Sequence, residues 1–565
     1  MSKEFSEETL NLLKGITIEN LEKYSKVNAK SVLGKLIGTD PNLKTKIPLL
    51  IKEIESTIET FSKLSKPEFE EAHTKYTAHI KHVNKVEKRK GLPELTPTTK
   101  EYCFRFAPSP SGPLHVGHLI PLLLNSEYAK KYNGKLVLRL EDTNPSKISK
   151  EIYKQLEEDA NWATENKISE VITQSEHIDD YYKYAKQLIK DGHAYISTDK
   201  PEEWRELVKN KTESPERNLS AKEQLKKWEE MHTILKEGSA VVRIKTDMQH
   251  KNPAIRDWPP FRITEESHPL VGKKHRVWPL MNFSVAVDDR RSNLTHVIRG
   301  KDHLTNADRQ KYIYNYFNWD IPEYLHIGRV NFEGITVSAS QFQKDIEEGK
   351  YSGRDDPKLP TAAAFRRRGI SPRAFVKYVH ELGPSKVDKT VSFEDFMKAI
   401  YAFNREIIEP EANRYFIIED PVEVELNELP SNIKAELPLH PNFQSRGVRK
   451  FHKSNKFYIE KRDVKEEGNI RLMHLCNYSV KDSKFISENL DKELKAKVIH
   501  WLPISDKEKN VEVLVKRAHG KDIKAIGEPA LSKLEPGTII QFERKFFARF
   551  DSKEGNVLVF YETHK

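Results

Sequence analysis

The N-terminal part of the chain has apolar residues spaced three and four apart, which is the period of an amphipathic helix. Two groups of residues carry this pattern: Leu10, Leu13 and Ile16, then Leu49, Leu50, Ile54, Ile58 and Phe61. Strand patterns are almost absent from the same stretch, so we predict a helical appendage over residues 1–99. A charged segment that leads to a proline, residues 83–97, predicts the linker at its end.

A second pattern begins near residue 100, where short apolar runs alternate with helical spacing. Residues 102–106 and 135–140 predict two strands, and the helical spacing between them predicts the crossover of a Rossmann-like parallel sheet. Ligands bind where loops leave the carboxyl ends of such strands, so residues 107–115 and the acidic pair at 141–142 are expected to face one crevice. Further strands are expected at residues 240–244, 283–287 and 295–299.

These patterns together predict a multidomain α/β protein. The Rossmann-like domain is expected over residues 100–345, with an insertion at about 199–260 whose charged, aperiodic start indicates peripheral helices. Helical spacing then predicts a helical connector over 346–415. Alternating polar and apolar residues predict C-terminal β-barrels over 416–565, as at 422–426, 511–515 and 557–561.

The length and composition of the chain also indicate that it folds into several globular domains. The 565 residues exceed what one hydrophobic core usually serves, and 37% hydrophobic with 32% charged residues is typical of a globular chain. No apolar run approaches the roughly 20 residues that span a bilayer, and the N-terminus lacks the apolar core of a signal peptide. We therefore predict a cytoplasmic protein without a membrane partner. The two cysteines, Cys103 and Cys476, predict neither a disulfide framework nor a structural zinc site.

The charge balance gives a weaker indication of a partner. Lysine and arginine outnumber aspartate and glutamate by 95 to 85, a formal charge of +10. This excess suits a polyanion such as a nucleic acid, but a merely soluble basic surface is an equal reading of the charge alone.

The most specific motif runs from Arg105 to His118 as Arg-Phe-Ala-Pro-Ser-Pro-Ser-Gly-Pro-Leu-His-Val-Gly-His. It lies at the predicted junction between the first strand and the following helix. Prolines fix the loop, glycines allow a close approach of backbone or ligand, and histidines beside a helix N-terminus can donate to phosphate oxygens. Two histidines three residues apart are more often surface residues, but together with the prolines and glycines they indicate a site for a nucleoside triphosphate.

This motif resembles that of the class I aminoacyl-tRNA synthetases, whose first signature is His-x-Gly-His, and its flanks are similar to the glutamyl and glutaminyl branch. Several other segments, which cover most of the chain, resemble the archaeal-type glutamyl enzymes: residues 138–143, 252–257, 287–289, 295–303, 351–361, 366–370, 412–416 and 471–477. The β-rich C-terminus agrees with the archaeal type. The resemblance implies an α/β catalytic core followed by anticodon-binding β-barrels.

The resemblance also implies roles for individual residues. The ATP-binding residues would be Pro108, Ser109, Gly112, His115, Gly117, His118 and Lys344. The amino-acid-binding residues would be Arg105, Glu141, Met281 and Arg299, with at least one arginine forming a bidentate clamp on a substrate carboxylate and Glu141 receiving the ammonium group. An ordinary ion pair between Glu141 and Arg105 is the structural alternative.

The second signature of class I synthetases corresponds to residues 337–341. The catalytic residues would be His115 and His118 of the first motif with Ser338, Ser340 and Gln341 of the second. The family has a lysine before or at Gln341, and relatives usually have a tyrosine at Met281, so this chain departs from the pattern at two site positions. Lys344 and Arg354 are near enough in sequence to supply the missing charge.

The implied function is a glutamate–tRNA ligase that uses ATP with Mg²⁺, glutamate and tRNA(Glu), and whether tRNA(Gln) is also charged stays open. A monomer is expected. Two alternatives remain: a glutaminyl-tRNA synthetase, which the retained Arg299 disfavours, and an inactive RNA-binding paralogue, which Gln341 and Met281 motivate. Candidate tRNA-binding residues in the β-rich region are Arg446, Arg449, Lys450, Arg544, Lys545 and Phe546.

Overall fold

The computed structural model describes residues 5–23, 27–39, 41–80, 91–431, 433, 435–465 and 467–565. The chain forms two compact units, Met1–Lys90 and Gly91–Lys565. Most of the predicted linker, residues 83–90, lies outside the described residues. No helix in the described ranges is both long enough and apolar enough to cross a membrane.

The first unit contains four described helices: α1 (Glu7–Lys23), α2 (Ala29–Thr39), α3 (Ile47–Ser62) and α4 (Lys66–Thr77). Part of each predicted apolar face lies in its core, which includes Leu13, Ile16, Leu50 and Ile54, whereas Leu49 is exposed. Gly15 lets α1 and α4 approach closely, because a Cβ atom there would lie 2.4 Å from the carbonyl oxygen of Tyr76.

The second unit begins with alternating strands and helices. Up to residue 347 they are β1 (Cys103–Phe106), α5 (Val116–Lys131), β2 (Lys135–Leu140), α6 (Lys150–Thr164), β3 (Glu170–Thr173), α7 (Ile178–Lys190), β4 (Ala194–Ser197), α8 (Pro201–Asn210), α9 (Ala221–Thr233), β5 (Val241–Ile244), β6 (Phe261–Ile263), β7 (Val277–Pro279), α10 (Met281–Arg291), β8 (His296–Gly300), α11 (Leu304–Tyr316), β9 (Glu323–Ile327), β10 (Val330–Glu333) and α12 (Ala339–Glu347).

Parallel strands organise this region, which confirms the predicted α/β class. Strand β1 pairs with β2, and β2 with β3, while β8 pairs with β9, all in parallel. Thr295, just before β8, donates its N–H to the Cys103 carbonyl at 3.1 Å, and its hydroxyl oxygen accepts from Cys103 N at 2.9 Å. These bonds place β8 beside β1, so the carboxyl ends of both strands open on one edge.

The strand predicted at 283–287 is wrong. Residues Phe283 to Val287 lie within helix α10 and are buried on every side, from Asn282 through Asp289. Because α10 is buried on all its faces, its short apolar run has no helical period to distinguish it from a strand.

The segment between β3 and α10 forms a separate antiparallel layer. Strands β4, β5, β6 and β7 form one four-stranded sheet in that order. Helices α8 and α9 lie between β4 and β5 in sequence, and α8 has no buried residue. Trp228 of α9 is fully buried in the core that this sheet shares with α7 and α10.

The connector that follows is mainly helical. It contains α13 (Ala362–Arg367), α14 (Pro372–Leu382), β11 (Lys389–Ser392) and α15 (Phe393–Ile408). Strand β11 pairs in parallel with β10. Arg368 fixes the connector to the last strand of the chain, since its Nη2 donates to the Thr563 carbonyl at 2.9 Å.

The rest of the chain is built from short strands. They are β12 (Asn413–Tyr415), β13 (Ile417–Glu419), β14 (Pro421–Glu425), β15 (Glu436–Pro438), β16 (Val448–Lys450), β17 (Lys456–Glu460), β18 (Asn469–Leu472), β19 (Cys476–Ser479), β20 (Lys484–Ser487), β21 (Lys497–Ile499), β22 (Leu502–Pro503), β23 (Val511–Lys516), β24 (Ile523–Gly527), β25 (Ile539–Phe542), β26 (Phe546–Glu554) and β27 (Val557–His564).

These strands surround two separate cores, which fits the β-rich region predicted from alternation. Seven of them form one sheet in the order β12-β25-β26-β27-β23-β24-β13. The two edge strands β12 and β13 are separated in sequence by Phe416 alone, so the sheet curls until its edges nearly meet. Strands β14 to β22 form three smaller sheets around the second core, which contains Trp501 and Leu472.

Candidate active site

A cavity of about 620 Å³ opens at the N-terminus of α5. Its lining includes His115, Gly117 and His118 from the motif, and Gly300, Arg329 and Val337 from the facing segments. The volume falls within the range typical of small-molecule sites. Pro108, Ser109, Gly112 and Lys344, which were also predicted to bind ATP, do not line this cavity.

The two motif histidines stack on each other, with ring centroids 3.7 Å apart and planes within 15°. His115 is the N-cap of α5, and its Nδ1 accepts a hydrogen bond from Gly117 N at 3.1 Å. The neutral His115 ring therefore carries its proton on Nε2. Gly117 allows this arrangement because a Cβ atom there would lie 3.1 Å from His115 Cε1.

Both rings are kept neutral by their surroundings. Burial lowers the pKa of His115 from 6.5 to about 2, with a further contribution from His118. Burial also lowers the pKa of His118 to about 4. Neutral imidazoles at a helix N-terminus offer N–H donors without a fixed positive charge, which suits hydrogen bonding to phosphate oxygens.

The second signature packs directly against the first. A Cβ atom on Gly112 would lie 2.1 Å from the carbonyl oxygen of Ala339, so the glycine permits this contact. Ser338 caps α12, and its hydroxyl oxygen accepts from Gln341 N at 3.4 Å and lies 3.4 Å from Ser340 Oγ. Val337 is the residue of this segment that reaches the large cavity.

The proposed substitutes for the family's lysine are engaged elsewhere. The Gln341 amide donates to Asp345 at 2.9 Å, and Lys344 lies 3.7 Å from Glu348, the C-cap residue of the same helix. Arg354 pairs with Glu158 at 2.7 Å and with Asp159 at 2.8 Å, and does not line the large cavity. Arg354 is therefore not a replacement for the lysine. Among the described residues that line the large cavity, Arg329 is the one lysine or arginine. It was not predicted from the sequence.

A smaller cavity of about 160 Å³ adjoins the large one. All four predicted amino-acid-binding residues, Arg105, Glu141, Met281 and Arg299, line it. Pro121 and Gly300 line both cavities, so the two compartments are neighbours. The small volume is below that of typical drug-sized sites and suits a small molecule.

Two buried arginines line this compartment, and within the described ranges each has one donor without a hydrogen-bond partner. Arg105 and Arg299 are 6% and 7% exposed, and the Nε of each has no hydrogen-bond partner in the described part of the chain. Burial lowers the pKa of Arg299 to about 10, with a contribution from Arg105, and burial also lowers the pKa of Arg105. Two like charges held close together out of water favour an anionic ligand between them.

Glu141 does not pair with Arg105, which corrects the structural alternative. Its Oε1 accepts from Arg139 Nη2 at 3.1 Å, and Arg139 also pairs with the fully buried Asp289. Asp289 Oδ1 lies 3.8 Å from Arg105 Nε and so holds the arginine beside the cavity. Asp142 faces away from the crevice, contrary to expectation, because its carboxylate accepts from Ser175 and Tyr153 in the interior.

Arg139 and Asp289 were missed as supporting residues, although the sequence contained a signal. Arg139 is a charge among the buried apolar residues of strand β2, and Asp289 follows a buried apolar run. A buried charge needs a partner, so two such residues of opposite sign indicate a pair.

The C-terminal candidates for RNA contact divide into exposed and buried residues. Lys450 and Arg544 are exposed, and Arg446 is half-buried against the carbonyls of Pro410 and Glu411. The other three face inward: Arg449 pairs with Glu528 at 2.7 Å, Lys545 pairs with Glu419 and Glu460, and Phe546 belongs to the barrel core. Their burial leaves these three without a surface for RNA.

Comparisons with known proteins agree with this geometry. Residues 102–410, 309 of the 565, match the model described as tRNA synthetases class I (E and Q), catalytic domain. Residues 412–498 and 498–551 match two models described as anti-codon binding domains of the same synthetases.

Individual relatives are similar over nearly the whole chain. The glutamate–tRNA ligase of Methanobrevibacter smithii is 40% identical over 95% of this chain and 96% of its own length. That of Methanothermobacter thermautotrophicus is 41% identical over 96% of each chain. A solved glutamate tRNA ligase from Elizabethkingia meningosepticum is 23% identical, with a TM-score of 0.41 over 56% of this chain and 71% of its own. On the family models and the full-length relatives, the chain belongs to the class I tRNA synthetases of the glutamate and glutamine type.

Proposed function

We propose that this protein is a glutamate–tRNA ligase that forms glutamyl-adenylate and transfers the glutamyl group to tRNA(Glu). One observation carries the proposal: a small cavity with two buried arginines adjoins a larger cavity lined by the stacked histidines of the first motif. Two relatives that match nearly the full chain are named glutamate–tRNA ligases. We expect the protein to act as a monomer in the cytoplasm, where ATP and tRNA are both available.

In the first step, a carboxylate oxygen of glutamate attacks the α-phosphorus of ATP and diphosphate leaves. His115 lines the large cavity at the start of α5, and its Nε2–H would donate to the phosphate oxygens. Mg²⁺ is expected to arrive with ATP and to neutralise phosphate charge. The described residues contain no group of three or more potential metal ligands.

The small cavity would hold glutamate through its two ends. Arg105 and Arg299 would bind the side-chain carboxylate, and Glu141 would accept from the ammonium group. Arg139 holds Glu141 in place, because it donates to the carboxylate from within strand β2. In the second step, a hydroxyl of the terminal ribose of tRNA attacks the activated carbonyl and AMP leaves.

ATP–diphosphate exchange tests the proposal. We expect exchange with glutamate, ATP and Mg²⁺, measured with and without tRNA, and much weaker exchange with glutamine. Exchange that responds only to glutamine would identify the glutaminyl alternative. The absence of exchange with either amino acid in the presence of tRNA would favour the inactive paralogue, for which Gln341 and its bond to Asp345 remain the motivating observation.

A further inference from the structure

A chain of hydrogen bonds beneath the small cavity connects Arg299 to His303. Arg299 Nη2 donates to Gln310 Oε1 at 3.0 Å, and Gln310 Nε2 donates to Asn282 Oδ1 at 3.3 Å. Asn282 Nδ2 donates to Asn306 Oδ1 at 3.2 Å, and Asn306 Nδ2 lies 3.0 Å from His303 Nδ1. Arg299 and His303, at the two ends, line the cavity.

This series of hydrogen bonds runs in one direction only. An amide nitrogen can only donate and an amide oxygen can only accept, so the oxygens of Gln310, Asn282 and Asn306 all point towards Arg299. His303 Nδ1 must then accept, and the neutral ring carries its proton on Nε2. The two ends of this series of hydrogen bonds are therefore N–H donors: Arg299, and His303 Nε2, which lies 3.7 Å from Asp302 Oδ2.

Burial makes this direction hard to reverse. Gln310 is fully buried and Asn282 is 8% exposed, so a flipped amide would leave donors facing donors without access to water. The Gln310 oxygen also lies 3.4 Å from the Tyr324 hydroxyl, which donates to it. The orientation of Gln310 is thus fixed from two sides by donors.

The neutrality of Gln310 also matters for the charge of Arg299. An amide oxygen positions the guanidinium without cancelling its charge, whereas a carboxylate at the same place would pair with it. Arg299 lines the cavity, and its buried Nε has no hydrogen-bond partner in the described part of the protein. A substrate carboxylate, which only accepts, fits this surface, but the NH₂ of a side-chain amide meets other donors.

We propose that Gln310, Asn282 and Asn306 are positioning residues that select a carboxylate over an amide at the amino-acid side chain. This inference rests on the proposed function, because it concerns how the same site distinguishes glutamate from glutamine. None of the three lines the cavity, so their effect is exerted through Arg299 and His303.

The test compares kcat/KM for glutamate and glutamine in tRNA-dependent ATP–diphosphate exchange by the full chain. Gln310→Glu should lower kcat/KM for glutamate on the order of 10²-fold, with a much smaller loss for glutamine, so the ratio between them falls. Asn306→Asp should also lower the ratio, because its carboxylate accepts from His303 Nδ1–H and leaves Nε2 as an acceptor.

Gln224→Glu is the matched control, since Gln224 is 2% exposed and hydrogen-bonded in the antiparallel layer. It should leave the glutamate-to-glutamine ratio unchanged. An equal loss for both substrates in Gln310→Glu would overturn the inference and assign Gln310 a merely structural role, while glutamate exchange by the wild type would still support the proposed function.

Binding provides a readout that survives loss of catalysis. Calorimetry with non-hydrolysable sulfamoyl analogues of glutamyl- and glutaminyl-adenylate should give a lower affinity ratio for Gln310→Glu than for wild type. An unchanged affinity ratio would contradict the inference. A wild type that binds the glutamyl analogue no better than the glutaminyl one would instead contradict the proposed function.

Discussion

Arg299 is the residue whose removal should affect glutamate most selectively. Arg299→Ala would leave the substrate carboxylate partly desolvated and short of a cation, a loss of about 2–5 kcal/mol in its binding. We expect a large increase in the KM for glutamate with little change in the KM for ATP. The control is Arg205→Ala, because the Arg205 side chain is 74% exposed. An unchanged KM for glutamate in Arg299→Ala would remove Arg299 from the amino-acid site.

The motif histidines should make the fold sensitive to acid. The pKa of His118 is lowered to about 4 by burial, so the unfolded chain binds a proton that the folded chain excludes between about pH 6.5 and 4. The contribution of His118 to stability is present above pH 6.5 and is lost as the pH falls. We therefore expect the drop in melting temperature from pH 7 to pH 5 to be smaller in His118→Gln than in wild type. An identical drop would show that this imidazole is not buried as described.

Among the secondary-structure elements, helix α12 contains Gln341, which stands where the family has a lysine, so substitutions on α12 test the effect of that difference. A cation near the transferring phosphate is worth on the order of 10²–10³ in rate, so Gln341→Lys should raise kcat with little effect on the KM for glutamate. Asp345 accepts from Gln341 at present and would attract the new ammonium group, so Gln341→Lys with Asp345→Asn should raise kcat further.

Gln343→Lys is the matched control on the same helix, since Gln343 donates to Glu347 at 2.8 Å in the same spacing. It should leave kcat unchanged. If Gln341→Lys and the double variant both leave a measurable wild-type rate unchanged, another group already supplies the positive charge. Arg329, which lines the large cavity, is then the candidate.

Elements with a clear period were predictable, and those defined by burial were not. The run at 135–140, which forms β2, was predictable because its valine and leucine residues are flanked by turn residues. The run at 283–287 is helical, because α10 is packed on all sides and local sequence does not report that packing.

The residues of the candidate site also divide into those that could be predicted from the sequence and those that could not. Residues within a dense motif, such as His115 and Arg105, could be identified from sequence, and the structure brings them to the two cavities. Gln310 could not, because a lone glutamine on a helix has no pattern, and its role depends on contacts across three elements. Burial of Arg449 and Phe546 was equally invisible, since basic and aromatic residues suit both RNA surfaces and barrel cores.

At the scale of the whole molecule, the C-terminal region should supply affinity for RNA through its exposed cations. Lys450→Ala with Arg544→Ala should weaken tRNA binding, and the slope of log affinity against log salt should become shallower by about one for each phosphate that is no longer neutralised. The control is Lys63→Ala, because the Lys63 side chain, at the C-cap of α3, is 71% exposed. Equal salt slopes for wild type and the double variant would exclude both residues from the RNA surface.

The most direct test of the central claim is the charging of tRNA by the wild-type chain. With radiolabelled glutamate, ATP, Mg²⁺ and tRNA(Glu), we expect the wild type to form glutamyl-tRNA and one AMP per glutamate attached. We expect Arg299→Ala to abolish charging at low glutamate while retaining ATP binding. Charging by Arg299→Ala at the wild-type rate at every glutamate concentration, or no glutamyl-tRNA from wild type, would contradict the central claim.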